Sequence, residues 1–287
     1  MNRQLNPIVE RYDAGAAEYA RYWAPVLEDT AGHLLDEVEQ NFKADRLRKT
    51  DRLRLLDVGA GTGTVALKAM QRWPNAEVIA SDAAAGMLGF ARGRAEEAGL
   101  LGDGRLSFVV GPAEELPLPS GSVDVCVSSF VLQLVPDRLA ALTEIRRVLR
   151  PSGMLIYVTW LDRDSREPFK ASDEFDEAVY DLNVDEPDES DETIAGDVRS
   201  SRAAADELRR AGFVRASARD ETLVYDWNME SYLDYKLSYD ERSLISTLSD
   251  EQARELERDV RARFVRLVPT DFRWHAPVVF ARGFAPT

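Results

Sequence analysis

Between residues 53 and 160 short apolar runs alternate with stretches whose apolar positions recur every three or four residues. Leu53–Leu56, Ala76–Ala80 and Val123–Val127 read as buried strands, and Thr64–Arg72 and Asp137–Leu149 as helices. In the last of these, Asp137 caps the helix, Pro136 stops the element before it, and Leu139, Leu142, Ile145 and Leu149 repeat at helical spacing. Such alternation implies a parallel sheet with helices on both faces. Residues 8–42 read as an amphipathic helical stretch with Tyr12, Tyr19, Tyr22 and Trp23 clustered early, and 43–52 as a charged connector. Residues 161–200 have weak periodicity, with a helix over Glu174–Leu182. Ser201–Ala211 reads as a helix ended by Gly212, 213–226 as a strand, 229–268 as charged and helical, and Phe272–Phe284 as a final strand. There is no internal repeat.

At 287 residues the chain makes one large domain or two small ones, and 45% hydrophobic residues suffice for a core. No apolar run approaches membrane-spanning length, and Met1–Pro7 has no apolar signal region. The single cysteine, Cys126, falls in a predicted core strand, so no internal disulfide forms and a cytoplasmic protein is expected. Two histidines and one cysteine argue against a structural zinc site. The formal net charge is −15, and residues 161–200 alone carry −11. A chain this acidic is repelled by phosphate backbones and anionic bilayers, so neither nucleic acid nor membrane is expected as a partner. Self-repulsion among Asp181, Asp185, Glu186, Asp188, Glu189, Asp191 and Glu192 predicts that 161–200 is mobile without ligand.

The chemistry concentrates at Leu53-Arg54-Leu55-Leu56-Asp57-Val58-Gly59-Ala60-Gly61-Thr62-Gly63. An apolar run ends at a carboxylate, three glycines follow at alternate positions, and a helix begins. The glycines let a ligand approach bare backbone, and the helix start offers unpaired N–H groups. The pattern is Asp-x-Gly-x-Gly-x-Gly, not the dinucleotide Gly-x-Gly-x-x-Gly. Asp82 closes the next strand about twenty residues after the glycines, where a nucleotide-binding fold puts a ribose acceptor.

These segments resemble the class I S-adenosylmethionine-dependent methyltransferases. Gly111-Pro112-Ala113-Glu114-Glu115-Leu116-Pro117, Val123–Phe130 and Ile145–Leu155 continue the resemblance in order from residue 53 to residue 160, and the group looks similar to the ubiquinone and menaquinone methyltransferases. The resemblance implies S-adenosyl-L-methionine as cofactor. Gly59, Ala60, Gly61 and Gly63 would meet its methionine and ribose end; Asp82 either accepts the ribose hydroxyls or only caps the helix beginning near Ala83, and Ala83 is a further cofactor-binding candidate. Asp57 either receives the ammonium or ties down the loop. Met87 packs on the adenine face or belongs to the core. Pro112 stands where the family has an aspartate, so Ala113 N–H and Glu114 take over the adenine, unless Glu114 is merely solvated. Ser128 and Ser129 either meet the cofactor or satisfy local backbone. Tyr19 matches the family's N-terminal tyrosine. His33 and His275 are each a base or structural, and no catalytic residue is assigned.

The fold implied is α/β, a Rossmann-like, doubly wound, mostly parallel seven-stranded sheet with helical cap insertions. It forms a single methyltransferase domain over 1–287. A helical cap at 1–52 precedes the cofactor-binding core at 53–160; the acidic insertion at 161–200 and the rest of the sheet at 201–287 follow. Strands six and seven form a hairpin around the helical insertion 229–268. The reaction expected is methyl transfer to a small, partly apolar molecule. The alternatives are an NAD-dependent oxidoreductase and a non-catalytic cofactor-binding relative acting through a protein partner. Specificity normally lives in grafted parts, so the acceptor pocket is expected between the N-terminal helix and 229–268, near Trp160. Tyr232, Tyr235 and Tyr239 share one helix face, which either lines that pocket or is core.

Overall fold

A computed structural model describes residues 7–42, 53–162, 168–184 and 194–287. They fall into two compact units. The first comprises Met1–Asp162, Glu192–Glu221 and Pro277–Thr287, the second Arg163–Asp191 and Thr222–Ala276. The charged connector 43–52 and the acids Asp185–Glu192 lie outside the described residues.

Seven strands form one sheet: β1 (Arg54–Val58), β2 (Glu77–Asp82), β3 (Leu106–Val110), β4 (Val123–Ser129), β5 (Leu149–Trp160), β6 (Val214–Asp226) and β7 (Arg273–Phe284). Their order is β3-β2-β1-β4-β5-β7-β6. The first five run parallel, and β7 lies antiparallel on β5 from Met154↔Phe284 to Trp160↔Val278. The mostly parallel seven-stranded sheet is therefore the one expected. Strands β1, β2 and β4 are buried nearly throughout, as strands covered by helices on both faces must be. The strand order reverses between β1 and β4, so a crevice opens at their carboxyl ends. Strand β3 was not read from sequence; Leu106-Ser107-Phe108-Val109-Val110 is five residues long with only Leu106 buried.

The helix Thr64–Arg72 forms where expected. The helix Arg138–Val148 starts at Asp137, whose carboxylate accepts the Ala140 N–H at 2.9 Å. Its inward stripe is Ala141, Leu142, Ile145 and Val148, while Leu139 is 41% exposed and Leu149 already belongs to β5. Three residues advance a helix about 60° short of a full turn, so a stripe centred on Ile145 has rotated away from Leu139. The N-terminal stretch is not one helix. It divides into Pro7–Ala14, Ala16–Glu18, a π-helical turn at Tyr19–Trp23 and Glu28–Asn41. Pro25 has no N–H to continue the ladder, and the Ala24 N–H reaches back five residues to the Tyr19 carbonyl at 2.9 Å.

Part of the acidic stretch is tied to the first unit. Ala195 N–H donates to the Val135 carbonyl, and Gly196 N–H to that of Gln133. The buried guanidinium of Arg138 donates to the carbonyls of Leu132 and Gly196 and pairs with Glu207.

The second unit holds the helix Lys170–Leu182, longer at its start than the Glu174–Leu182 read from sequence. The stretch 229–268 breaks into Met229–Tyr235, a π-helical turn at Lys236–Asp240, Arg242–Thr247 and Asp250–Phe264. Arg263 draws Glu177, Asp181 and Asp259 to within 2.9 Å. Tyr232 lies in an aromatic cluster with Phe169, Trp227, Phe264 and Phe272, and Tyr235 stacks on Trp227 at 4.8 Å. The tyrosine face thus packs within this unit's own core. Lys236 is buried beside Asp240 and Glu241. Burial alone would lower its pKa, but these carboxylates hold it above the ordinary value.

Candidate active site

The glycine loop is a backbone device. Gly59, Gly61 and Gly63 have φ of +70°, +52° and +86°, a region L side chains rarely enter. The Gly59 and Ala60 N–H groups both donate to the Ser81 carbonyl, at 2.7 and 2.9 Å, so β2 holds the loop's first turn. A Cβ on Gly59 would come within 2.2 Å of the Val131 side chain, and one on Gly63 within 2.9 Å of the Ala91 Cβ. Gly63 therefore serves close helix packing. A Cβ on Gly61 would meet only the Met87 methyl, at 3.5 Å, because this position faces open space.

Two carboxylates brace the loop. Asp82 accepts the Gly61 N–H at 2.7 Å with one oxygen and the Ala84 N–H at 2.9 Å with the other. Burial raises its pKa, while bonds from Ala84, Gly61 and Ala83 oppose the rise. Asp57 is 1% exposed, and its Oδ2 accepts the Ala66 N–H at 3.0 Å. Its Oδ1 is buried with no hydrogen-bond partner among the described residues. Burial pushes its pKa up to about 7, and the Asp82 charge adds to the rise.

A stability prediction follows from Asp57. The folded state holds this proton more tightly than the unfolded chain, whose carboxyl titrates near 3.8. The group's contribution is fully favourable below about pH 4 and is lost as pH rises to about 7. Urea midpoints of the ligand-free protein are therefore expected to fall across that window. Asp57→Asn, which cannot ionise, should flatten the slope; an unchanged slope would exclude Asp57 as its source.

A cavity of about 380 Å³, including its open mouth, lies above the loop in the first unit. Of the residues singled out from sequence, Tyr19, Asp57, Gly59, Ala60, Gly61 and Ser129 line it. Ala24, Leu27, Ala31, Thr62, Thr64 and Val65 line it too and were not singled out. The threonines and Val65 lie within or just beyond the motif, but nothing in the local pattern marks Ala24, Leu27 or Ala31. Ser128 turns away: its hydroxyl donates to the Val58 carbonyl at 2.9 Å, the local role weighed against cofactor contact. Met87 is buried with Ala16 and Ala84, and Val9, Tyr12 and Tyr19 pack on them. Ala83 follows Asp82 at the end of β2. Asp82 pairs in register with Val110, and Gly111 N–H donates to the Asp82 carbonyl at 2.9 Å. Ala113 and Glu114 thus follow on the strand beside Asp82, with Ala113 buried and Glu114 half-buried. His33, 3.5 Å from Glu221, does not line the cavity, and His275 belongs to the second unit.

A model described as "Methyltransferase domain" matches residues 56–157. The ubiquinone/menaquinone biosynthesis C-methyltransferase UbiE of Dinoroseobacter shibae is 33% identical over 185 residues, 64% of this chain and 70% of that protein. The chain belongs to the class I S-adenosylmethionine-dependent methyltransferases. The malonyl-[acyl-carrier protein] O-methyltransferase of Xylella fastidiosa, another similar methyltransferase, is 37% identical over 134 residues, 45% of this chain. The match spans only 42% of that enzyme's length. In fold the chain resembles Haemonchus contortus phosphoethanolamine N-methyltransferase 2 in complex with S-adenosylhomocysteine. The TM-score is 0.52 at 16% identity, over 89% of this chain and 53% of that one. Matches to methyltransferases favour neither an oxidoreductase nor a non-catalytic relative. The cofactor of this methyltransferase is S-adenosylmethionine, and the loop fits it. Gly61 leaves room where a side chain would fill the cradle, and the partnerless Asp57 oxygen suits a cationic group. Among the described residues no helix is long and apolar enough to cross a membrane, and no cluster of His, Cys, Asp and Glu could hold a metal.

Proposed function

We propose that this methyltransferase acts in the cytoplasm on a small, partly apolar molecule. The observation that carries the reading is the cradle at the carboxyl ends of β1 and β2, where Gly61 leaves its backbone open beside Asp82. When bound, S-adenosylmethionine supplies an electrophilic methyl group on a positively charged sulfur. Asp82 has acceptor capacity beyond its backbone bonds and would take the ribose hydroxyls. The buried Asp57 oxygen would take the ammonium, directly or through water, and the new partner would lower its pKa again. Ala83, Met87, Ala113 and Glu114 would form the adenine side, with Tyr19, Ala60, Gly59 and Ser129 around the methionine end. Gly63 keeps the helix close to the loop. Ser128 supports β1 rather than touching ligand.

Among the described residues that line the cavity only Asp57 and Tyr19 carry an ionisable side chain, and Asp57 is bound beneath the loop. We infer that the protein accelerates transfer mainly by aligning the acceptor and excluding water. Calorimetry with S-adenosylhomocysteine and, separately, with NAD tests the reading. Heat of binding is expected with the former alone. Binding of NAD instead would overturn it, and methyl transfer to any small acceptor would set aside the non-catalytic alternative.

A further inference from the structure

We propose that Arg94 is a positioning residue for the cofactor: it fixes Thr62 and Thr64 from behind, so that the helix end of the glycine loop receives the carboxylate of the cofactor's methionine end. The proposal deepens the methyl-transfer reading and rests on it. All three residues belong to the first unit. Arg94 stands on the helix Ala85–Glu97, which follows β2. It does not line the cavity, whereas Thr62 and Thr64 do. Its Nη1 donates to the Thr62 carbonyl at 2.9 Å and lies 3.3 and 3.5 Å from the Thr64 and Thr62 hydroxyl oxygens. One charged nitrogen thus gathers the two residues that flank Gly63.

The helix that carries Arg94 is the mount of the loop. Ala91, one turn earlier on the same face, lies so near Gly63 that a Cβ there would come within 2.9 Å of the Ala91 Cβ. At the start of this helix Asp82 joins the Ala84 N–H to that of Gly61. The loop is therefore braced from Gly61 to Thr64 along a single helix, and Arg94 holds its far end. There the helix Thr64–Arg72 begins on Gly63, which offers no side-chain cap. The first N–H groups of a helix have no partner within it, and Asp57 takes that of Ala66. Thr64 and Val65, at this helix start, form part of the cavity wall.

An independent observation calls for a charged ligand in the same cavity. The buried Asp57 Oδ1, without a hydrogen-bond partner among the described residues, belongs to a residue that lines it. Under the proposed function this oxygen takes the ammonium. The carboxylate hangs from the same carbon of the cofactor, so it must settle nearby, and Asp57 and Asp82 both oppose negative charge there. Arg94 puts a positive charge behind Thr62 and Thr64, where the helix start already favours an anion. The bond from Arg94 also makes the Thr64 hydroxyl oxygen an acceptor, which leaves the hydroxyl proton to be donated in turn. The methionine end is thereby sorted by charge, its ammonium toward Asp57 and its carboxylate toward the threonines.

The test is calorimetry on the whole chain with S-adenosylhomocysteine and with its decarboxylated analogue, which keeps the ammonium and lacks the carboxylate. Wild type is expected to bind the former about tenfold more tightly. Arg94→Gln keeps a donor for the Thr62 carbonyl but loses the charge. It should weaken S-adenosylhomocysteine about tenfold and leave the analogue unchanged, so that the preference disappears. Arg94→Lys should restore most of the preference, because the bonds come from one nitrogen that an ammonium can replace. An arginine that merely supports the fold would instead weaken both ligands together and lower the melting temperature. That outcome, an unchanged preference in Arg94→Gln, or a failure of Arg94→Lys to restore it, would each overturn the proposal. Should Arg94→Gln not fold, Thr64→Val removes the hydroxyl and is expected to cut the preference about threefold; an unchanged preference there overturns the proposal as well. If S-adenosylhomocysteine fails to bind the wild type, the cofactor reading itself has failed. If it binds and the analogue binds equally well, the carboxylate position alone has failed.

Discussion

Gly59→Ala is expected to abolish binding of S-adenosylhomocysteine and to destabilise the protein by about 2–5 kcal/mol. Two costs add at this position. Its φ of +70° penalises any Cβ, and that Cβ would sit 2.2 Å from a Val131 methyl. Valine is short and branched, so it has no flexible end to swing away. Either the loop, which lines the cavity, or the turn after β4 must move. Gly61→Ala is the informative partner. It carries the φ cost of about 1–2 kcal/mol but meets only the Met87 methyl, at an ordinary 3.5 Å. It should fold with a modest fall in melting temperature yet lose cofactor affinity, because its methyl occupies the cradle. Calorimetry beside thermal melts separates the two. Wild-type melting and affinity in Gly59→Ala would mean that the close approach to Val131 does not govern this loop.

Asp82→Ala should weaken S-adenosylhomocysteine by about 2–4 kcal/mol, roughly 30- to 1,000-fold in Kd. The carboxylate holds the Gly61 and Ala84 N–H groups and so shapes the loop before any ligand arrives. Under the proposed function it also takes two ribose hydroxyls. Asp82→Asn keeps one acceptor oxygen, so an intermediate loss is expected. Adenosine, which carries the ribose without the methionine end, should lose as much affinity as the full ligand in Asp82→Ala. If adenosine binding is untouched while S-adenosylhomocysteine weakens, Asp82 acts on the loop alone and the ribose finds its partner elsewhere.

What could be read before folding was whatever depends on neighbours in sequence. The buried strands β1, β2 and β4 declare themselves because helices cover both their faces, which forces uninterrupted apolar runs. The three glycines declare a left-handed loop because almost nothing else tolerates those φ values. The Asp137 cap and the left-handed Gly212 beyond the helix Ser201–Arg210 are equally local. The distance from Gly59 to Asp82 implied neighbouring strand ends, and Asp82 holds Gly61.

Long-range packing decided the rest. Whether Ser128 or Ser129 faced the cavity depended on which way each pointed once β4 lay beside β1, and the Val58 carbonyl claimed Ser128. The tyrosines of 229–239 shared a face as spacing required, but nearby Trp227 and the distant Phe264 and Phe272, the last forty residues from Tyr232, gave that face its partners. Ala24, Leu27 and Ala31 reach the cavity because Pro25 and the π-helical turn redirect the N-terminal chain, and no periodicity encodes that bend. The left-handed Phe130 is the clearest case: its own side chain disfavours the conformation, and a hydrogen bond to β5 and the ring of Trp160 help to hold it there. By itself the sequence determined the loop and most of the sheet, since these follow from short-range backbone and burial rules, and its resemblance to a family implied the cofactor. Tertiary structure alone decided which side chains line the cavity above the loop, because that depends on contacts between segments far apart in the chain.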